Sequence, residues 1–157
     1  MIKNIIFDLG NVLLKFDRNY FLDAVGVRPE DQRTLMNNVY LSLEWAKMDR
    51  GSMTEAEAAA SMCSRLPERL HEQAHLLVDR WDRPILPVPG MAELVRELKE
   101  AGYGVYLLSN ASYRQHEYWP RVPGSEYFDG TLISADVKLV KPCAEIYELL
   151  YSTFDLT

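Results

Sequence analysis

Cysteine is scarce in this sequence, which has only Cys63 and Cys143 among its 157 residues. The two stand far apart and lack the paired spacing of a zinc site or a redox motif. We therefore expect two reduced thiols with structural roles.

Long hydrophobic runs and dense tracts of lysine and arginine are also absent. The apolar run near the N-terminus covers only a few residues and ends at Asp8, so it suits neither a secretory signal nor a membrane span. The formal net charge is −6, and nothing in the sequence attracts the chain to nucleic acid or to an anionic membrane. We expect a cytoplasmic protein whose partners are small molecules.

What is present is the composition of a globular protein, with 48% hydrophobic and 25% charged residues. A chain of this length suits one domain, or a compact core that carries an insertion. Such a chain can bury about two thirds of its unfolded surface, so a real core is possible.

The first candidate site follows a short apolar run from Ile5 to Phe7. A continuous run is typical of a parallel strand that is buried on both faces. Asp8 comes next, and Gly10 and Asn11 are loop residues that tolerate unusual backbone angles. Open α/β sheets bind ligands beyond the carboxyl ends of their strands, which favours a functional Asp8. The alternative is that Asp8 only caps a turn.

Helix-forming residues dominate from about Asp17 to Arg83, with apolar residues recurring every three or four positions. Leu35, Met36, Val39 and Tyr40 form one such apolar face. Thr54 and Glu57 have the spacing of a capping box and predict a helix that runs to about Cys63. The pattern predicts an all-helical insertion, since a stretch of about 65 to 70 residues is too long for a loop.

A proline-rich segment then predicts a linker back to the first domain, through Pro84, Pro87 and Pro89. From Gly90 onward, strands and helices alternate, which is typical of a parallel sheet. The predicted fold class is therefore α/β with a Rossmann-like parallel sheet. Its core comprises residues 1–15 and 85–157, and the inserted helical part comprises residues 16–84.

Polar side chains follow each of the three predicted strands. Asp8 follows the first, Ser109 and Asn110 follow the second, and Lys141 lies in the loop beyond the third. Right-handed crossovers bring such positions to one edge of the sheet. A carboxylate, a hydroxyl, an amide and an ammonium held together suit phosphoryl transfer, because they provide a nucleophile, donors for phosphate oxygens and a balancing cation.

At these residues the chain resembles the haloacid dehalogenase superfamily. The matching segments are FDLGN at Phe7 to Asn11, LLSNAS at Leu107 to Ser112, and KP at Lys141-Pro142 with EIY at Glu145 to Tyr147, which are similar to its first, second and third motifs. The helical insertion before Pro89 resembles the family's helical cap. The WP pair at Trp119 is similar to its sugar-phosphatase-like branch.

The resemblance implies a Mg²⁺-dependent phosphatase that acts on a small phosphomonoester, a sugar phosphate being one candidate, through an aspartyl-phosphate. On that pattern Asp8 is the nucleophile and a metal ligand, and the Gly10 carbonyl is a second metal ligand. Ser109 and Asn110 bind the phosphate, and Lys141 steadies both the nucleophile and the phosphate. The alternative from another class is a catalytically idle binding or interaction domain of the same fold.

The sequence departs from the family pattern at Gly10, where the usual motif has a second aspartate that acts as general acid and base. A branch with the same DLGN wording is phosphatase-like, so the expectation stands. The group that replaces this acid is not evident from the sequence.

A second departure concerns the family's fourth motif, an acidic pair on the next strand that completes the Mg²⁺ site. No such pair precedes Thr157, so we expect a C-terminally truncated chain with weak Mg²⁺ binding and little or no activity. In the parent fold the missing strand lies beside the first one. We therefore expect an exposed edge near Ile5 and Ile6 that either pairs in a homodimer or retains a separate C-terminal fragment.

Other polar residues have simpler interpretations. The histidines His71, His75 and His116 lack a third zinc ligand within reach, which favours a solvated helix surface. Ser109 lacks the Gly-x-Ser-x-Gly elbow of a serine nucleophile. Three cations of the helical part could reach a substrate, but charged helical residues usually face water: Arg18, Lys47 and Arg50.

Overall fold

The computed structural model of the protein describes residues 2–156. Within them, three parallel strands form one sheet in the order β1-β2-β3: β1 (Asn4–Phe7), β2 (Gly104–Ser109) and β3 (Gly130–Ile133). Phe7 pairs with Leu107, and Ser109 pairs with Ile133. The predicted parallel α/β sheet is confirmed, and the carboxyl ends of its strands share one edge.

Strand β1 lies at the edge of this sheet, with β2 as its neighbour. The prediction that its apolar run is buried on both faces is wrong at Ile6, which is 38% exposed. In the central strand β2, by contrast, Val105 and Leu107 are fully buried. An edge strand has fewer neighbours to cover its side chains, and its outer backbone groups lack a strand partner.

Helix α9 (Ala144–Phe154) covers the sheet on the β2 and β3 side. It packs Ile146 and Leu150 against Leu108 and Leu132. Residues four apart lie on the same face of a helix, which explains why these two side chains reach the strands together. The remaining helices after the proline-rich segment are α6 (Met91–Glu100), α7 (Gln115–Tyr118), α8 (Ser134–Val137) and two 3₁₀ turns at Trp119–Arg121 and Ser125–Tyr127.

Residues 17–84 are all described and contain no strand. Their helices are α1 (Arg18–Ala24), α2 (Pro29–Leu35), a π-helix at Met36–Tyr40, α3 (Leu43–Asp49), α4 (Glu55–Cys63), a 3₁₀ turn at Glu68–Leu70 and α5 (His71–Asp79). The predicted capping box is confirmed, because Thr54 and Glu57 bond each other's backbone N–H. The apolar face predicted from Leu35 to Tyr40 is divided between α2 and the π-helix.

The chain forms two compact units. The first contains the chain up to Phe16, the short segment Asp49–Gly51 and the chain from Ile85 onward. The second contains Asp17–Met48 and Ser52–Pro84. The predicted domain boundaries, with a core of residues 1–15 and 85–157 and a helical part of residues 16–84, stay a prediction. In the described chain, no helix has the length and apolar character needed to cross a membrane.

The two connections of the first unit run side by side. Leu14 and Pro87 form an antiparallel bridge. On either side of it, Lys15 N donates to the Leu86 carbonyl at 2.8 Å and Val88 N donates to the Leu13 carbonyl at 2.9 Å. The chain therefore leaves the first unit and returns to it at neighbouring points.

Candidate active site

Side chains from three different segments meet at the carboxyl edge of the sheet. Asp8 follows β1 directly, and Lys141 comes from the segment between α8 and α9. The Lys141 ammonium lies 2.7 Å from Asp8 Oδ1 and 2.8 Å from the carbonyl oxygen of Leu108 in β2. The lysine thus joins the ends of β1 and β2 through one charged group.

Asn110 fixes the backbone of Lys141 from the end of β2. Its Oδ1 accepts a hydrogen bond from Lys141 N at 2.8 Å, and its Nδ2 donates to the Lys141 carbonyl at 3.1 Å. Asn110 is nevertheless exposed. Since an amide nitrogen has two N–H groups, the second can donate to a ligand oxygen. Asn110 therefore positions the lysine and keeps a donor for an anion.

The two carboxylate oxygens of Asp8 have different surroundings. Oδ1 accepts a hydrogen bond from the Leu9 N–H at 2.7 Å as well as from Lys141. The bond to Leu9 is the contact expected if Asp8 caps a turn, so this alternative role is also present. No described residue donates to Oδ2. The Asp8 side chain is 48% exposed. One oxygen is therefore held in place, and the other is open to an electrophile.

The loop after Asp8 leaves the Gly10 carbonyl accessible. Asn11 adopts a left-handed conformation with φ of 58°, which asparagine tolerates, and its N–H bonds the Leu14 carbonyl at 2.6 Å. A Cβ at Gly10 would meet no atom within 4 Å. No described residue donates to the Gly10 carbonyl. Its oxygen is therefore available to a ligand.

Ser109 lies inside the sheet, because the strand extends one residue further than predicted. It is the last residue of β2, pairs with Ile133 and is only 2% exposed. The structure thus brings Asp8, Asn110 and Lys141 together at an accessible edge and buries Ser109 beside them. Its role in phosphate binding stays a prediction.

Ser134, directly after β3, is a polar residue at the site that the sequence reasoning missed. Its hydroxyl accepts from Ala111 N at 2.9 Å and donates to the carbonyl of Asp49. It therefore ties the residue after Asn110 to the segment Asp49–Gly51. The signal was the same as for Asp8, a polar residue directly after a strand.

The residues present fit a hard cation only in part. Within residues 2–156, no group of three or more histidine, cysteine, aspartate or glutamate side chains could hold a metal ion. The Asp8 carboxylate and the Gly10 carbonyl are the predicted ligands. Asp8 Oδ2 and the Gly10 carbonyl oxygen accept no hydrogen bond from a described residue, so both can coordinate a cation. Mg²⁺ prefers oxygen ligands, and it often uses one or two carboxylates with water and substrate phosphate. These two groups suit such a shared site.

Known proteins match this chain over nearly its whole length. The family model for haloacid dehalogenase-like hydrolase matches residues 2–155. Among solved structures, the HAD family enzyme bt-2542 of Bacteroides thetaiotaomicron, in complex with magnesium and inorganic phosphate, has a TM-score of 0.73 and 22% identity. The match covers 99% of this chain and 80% of that one.

L-2-haloacid dehalogenase from Xanthobacter autotrophicus, with chloropropionic acid covalently bound, is a second similar structure. Its TM-score is 0.67 at 17% identity, over 100% of this chain and 66% of that one. At these identities the likeness shows a shared fold, which agrees with the parallel α/β sheet described above.

Proposed function

The chain belongs to the haloacid dehalogenase-like hydrolases, and from this premise we propose that it is a Mg²⁺-dependent phosphatase of small phosphomonoesters. The observation that carries the proposal is the contact of 2.7 Å between Lys141 Nζ and Asp8 Oδ1, which leaves Oδ2 open. A lysine ammonium in this position balances the charge of both a carboxylate and an incoming phosphate.

The proposed reaction has two steps. In the first, Asp8 Oδ2 forms a bond to phosphorus while the bond from phosphorus to the ester oxygen breaks, and the leaving alcohol takes its proton from water. In the second, a water molecule forms a bond to phosphorus while the bond from phosphorus to Asp8 Oδ2 breaks, which releases inorganic phosphate and restores the carboxylate. The proton that this water loses neutralises the hydroxide left by the first step. The sum is hydrolysis of one phosphomonoester by one water molecule.

The residues around Asp8 serve binding and orientation. Asn110 donates its free amide N–H to a phosphate oxygen, and Lys141 holds Asp8 while it offsets the phosphate charge. Asp8 and the Gly10 carbonyl would hold Mg²⁺, which when bound neutralises phosphate charge and aligns the attack.

Two observations favour phosphate as the group transferred. The site presents an ammonium and an amide donor next to the open carboxylate oxygen. The similar bt-2542 structure contains magnesium and inorganic phosphate. The dehalogenase neighbour uses the same fold, so carbon–halogen hydrolysis is the reaction that an experiment must separate from ester hydrolysis.

The test is an assay of the protein expressed from its gene, with and without Mg²⁺, against phosphomonoesters and a 2-haloacid. Release of inorganic phosphate that requires Mg²⁺ supports the proposal, as does an acid-stable, hydroxylamine-labile phosphoprotein after rapid quench. Halide release without phosphate release would show a dehalogenase. Binding of phosphate with no turnover of any ester would favour the idle binding domain.

A further inference from the structure

A second polar cluster lies in the first unit, beside the candidate active site. Lys138 Nζ donates to the carbonyl of Gly51 and to the hydroxyl of Tyr113. The same ammonium lies 4.7 Å from the centre of the Tyr113 ring. Lys138 has a left-handed backbone with φ of 60° at the end of α8.

The cluster and the active site share two loops. Tyr113 follows Asn110 by three residues, and Lys138 precedes Lys141 by three residues. Asn110 and Lys141 are bonded to each other, and so are Tyr113 and Lys138. Since three residues span at most about 10 Å, a ligand at Asn110 lies within the length of a small molecule from Lys138.

Arg50 lies next to this cluster in the chain, because the residues on both sides of it are bonded to residues that follow β3. The Asp49 carbonyl accepts from Ser134 Oγ, and the Gly51 carbonyl accepts from Lys138. Gly51 has φ of +70°, and a Cβ there would lie 2.8 Å from Ala135 Cα and closer still to the Ala135 carbonyl. The segment is therefore packed tightly against the end of β3. The Arg50 side chain itself is exposed, and within the described chain it has no hydrogen bond or ion pair.

The cluster contains donors without an anion. An ammonium has no acceptor, so the Tyr113 oxygen accepts from Lys138 and its own proton remains available. No described residue accepts that proton, and no described carboxylate pairs with Lys138 or Arg50. Of the two adjoining carboxylates, Asp136 contacts His116 at 3.0 Å, and Asp49 has its own partner within the described chain. Among the described residues, Lys138 and Arg50 thus have no counter-ion, and the Tyr113 hydroxyl proton has no acceptor.

We infer that Arg50, Tyr113 and Lys138 form a second anion site, which binds an oxyanion of the substrate other than the transferred phosphate. The inference rests on the proposed function, because it places the first phosphate at Asp8, Asn110 and Lys141. The substrate class is a small phosphomonoester that carries a second anionic group, either a carboxylate or a second phosphate. A phosphate ester of a neutral sugar leaves the second anion site unused.

The kinetic test compares 3-phosphoglycerate with glycerol 3-phosphate, which differ in one carboxylate. We expect kcat/KM to favour the acid by about tenfold, through KM, because charge-assisted hydrogen bonds to a partly exposed site are of this strength. Lys138→Asn removes the charge and keeps a residue that tolerates the left-handed backbone. Tyr113→Phe removes only the hydroxyl. Each should reduce the preference severalfold, whereas Arg96→Gln, which removes a surface charge on α6, should leave it unchanged.

A binding test separates this inference from the proposed function. Calorimetric titration with phosphonoacetate and with methylphosphonate, neither of which is a phosphate ester, requires no turnover. We expect phosphonoacetate to bind about tenfold more tightly, and Lys138→Asn to abolish this difference while methylphosphonate binding persists.

The outcomes differ for the two claims. A preference that is lost in Lys138→Asn, with no ester hydrolysed, would support the second anion site and refute the phosphatase. Hydrolysis with equal affinity for both phosphonates, or an equal effect of Arg96→Gln, would refute the second anion site and leave the phosphatase intact. Lys138→Asn also removes the lysine bond to Gly51 and can therefore lower the unfolding temperature. Tyr113→Phe retains that bond, so a loss of preference in this variant does not arise from lost stability.

Discussion

Lys141 and Asp8 form an ion pair of 2.7 Å in which each partner is also held by a second group. Asn110 bonds the Lys141 backbone on both its N–H and its carbonyl, and the Leu9 N–H bonds Asp8 Oδ1. Neither side chain is fully buried, at 19% exposure for Lys141 and 48% for Asp8. The pair is therefore fixed in position and still accessible to a ligand.

The proposed role of Asp8 as nucleophile is tested by Asp8→Asn, which keeps the size of the side chain and removes the oxygen proposed to attack phosphorus. We expect kcat to fall by at least about 10³-fold, because no covalent intermediate can form. Phosphate release in steady state and the quenched phosphoprotein are the measurements. Asp155→Asn is the matched control, since Asp155 is exposed at the end of α9 in a left-handed conformation that asparagine tolerates. Turnover that continues unchanged in Asp8→Asn would refute the nucleophile.

Asn110→Asp tests whether the Asn110 side chain donates a hydrogen bond to the phosphate. The new carboxylate can still accept from Lys141 N, but it loses the donor and places a negative charge beside the phosphate. We expect KM to rise about tenfold, with a further loss in kcat because the Lys141 backbone is less well fixed. Asn37→Asp adds the same charge at an exposed position of the π-helix and should change neither constant. Equal effects of the two variants would indicate a general charge effect.

The stability of the second unit should depend on pH through Glu44. Arg65 binds its carboxylate with both terminal nitrogens, at 2.6 and 3.0 Å, and Ser61 Oγ donates to it at 2.7 Å. The Arg65 hydrogen bonds, with a smaller contribution from Ser61, lower the pKa of Glu44 from 4.5 to about 2 although burial opposes this. The stabilisation is therefore present above pH 4.5 and is lost as the pH falls toward 2.

Glu44→Gln should accordingly reduce the free energy of unfolding by about 1–2 kcal/mol at pH 7, since Arg65 is partly exposed and its bond is weakened by solvent. The difference from the native protein should shrink below pH 4 and vanish near pH 2. Urea unfolding at several pH values measures it. Glu148→Gln, at an exposed position on α9, is the control and should show no such dependence. A difference that is constant from pH 7 to pH 2.5 would contradict the assignment.

Two glycines with nearly the same φ should respond differently to replacement by alanine. Gly51 and Gly26 have φ of +70° and +71°, but a Cβ at Gly26 would meet nothing within 4 Å, whereas one at Gly51 would collide with Ala135. We expect Gly26→Ala to cost about 1–2 kcal/mol from backbone strain alone. Gly51→Ala adds about 1–3 kcal/mol of overpacking. Urea unfolding of both variants checks the order, and equal losses would show that the segment at Gly51 moves freely.

The predicted homodimer can be tested at the outer edge of β1. Ile2 is 71% and Ile6 38% exposed, and the outer backbone groups of β1 have no strand partner in the described chain. We expect light scattering to show self-association that increases with concentration, and Ile6→Lys to weaken it, because lysine discourages pairing of edge strands. Thr131→Lys, on the opposite edge strand β3, is the control. A monomer of 18.1 kDa at all concentrations would contradict the prediction.

The residues at the sheet edge could be predicted from the sequence because chain order determines their place. Asp8, Asn110 and Lys141 each follow or flank an apolar run, and parallel strands with right-handed crossovers bring such positions together whatever the details of packing. The capping box at Thr54 was equally local, since its two bonds join residues only three apart.

Features that depend on the complete arrangement could not be predicted in the same way. The exposure of Ile6 follows from the edge position of β1, and a single apolar run does not reveal strand order. The bond from Lys138 to Gly51 joins residues 87 apart, and no periodic pattern in the sequence predicts it. The π-helix at Met36–Tyr40 shifts its hydrogen bonds by one residue, which no residue type in that segment signals. The sugar-phosphatase branch remains a prediction.

The bridge between Leu14 and Pro87 has a consequence for how this chain can be lengthened. Residues paired in this way are only about 5 Å apart, a gap that a tight turn can close. Closing a longer loop costs little more than closing a short one, about 0.6 kcal/mol for each doubling of its length. Apart from the segment Asp49–Gly51, which is bonded to the end of β3, the stretch between Phe16 and Ile85 can therefore change in size while the three-stranded sheet keeps its register.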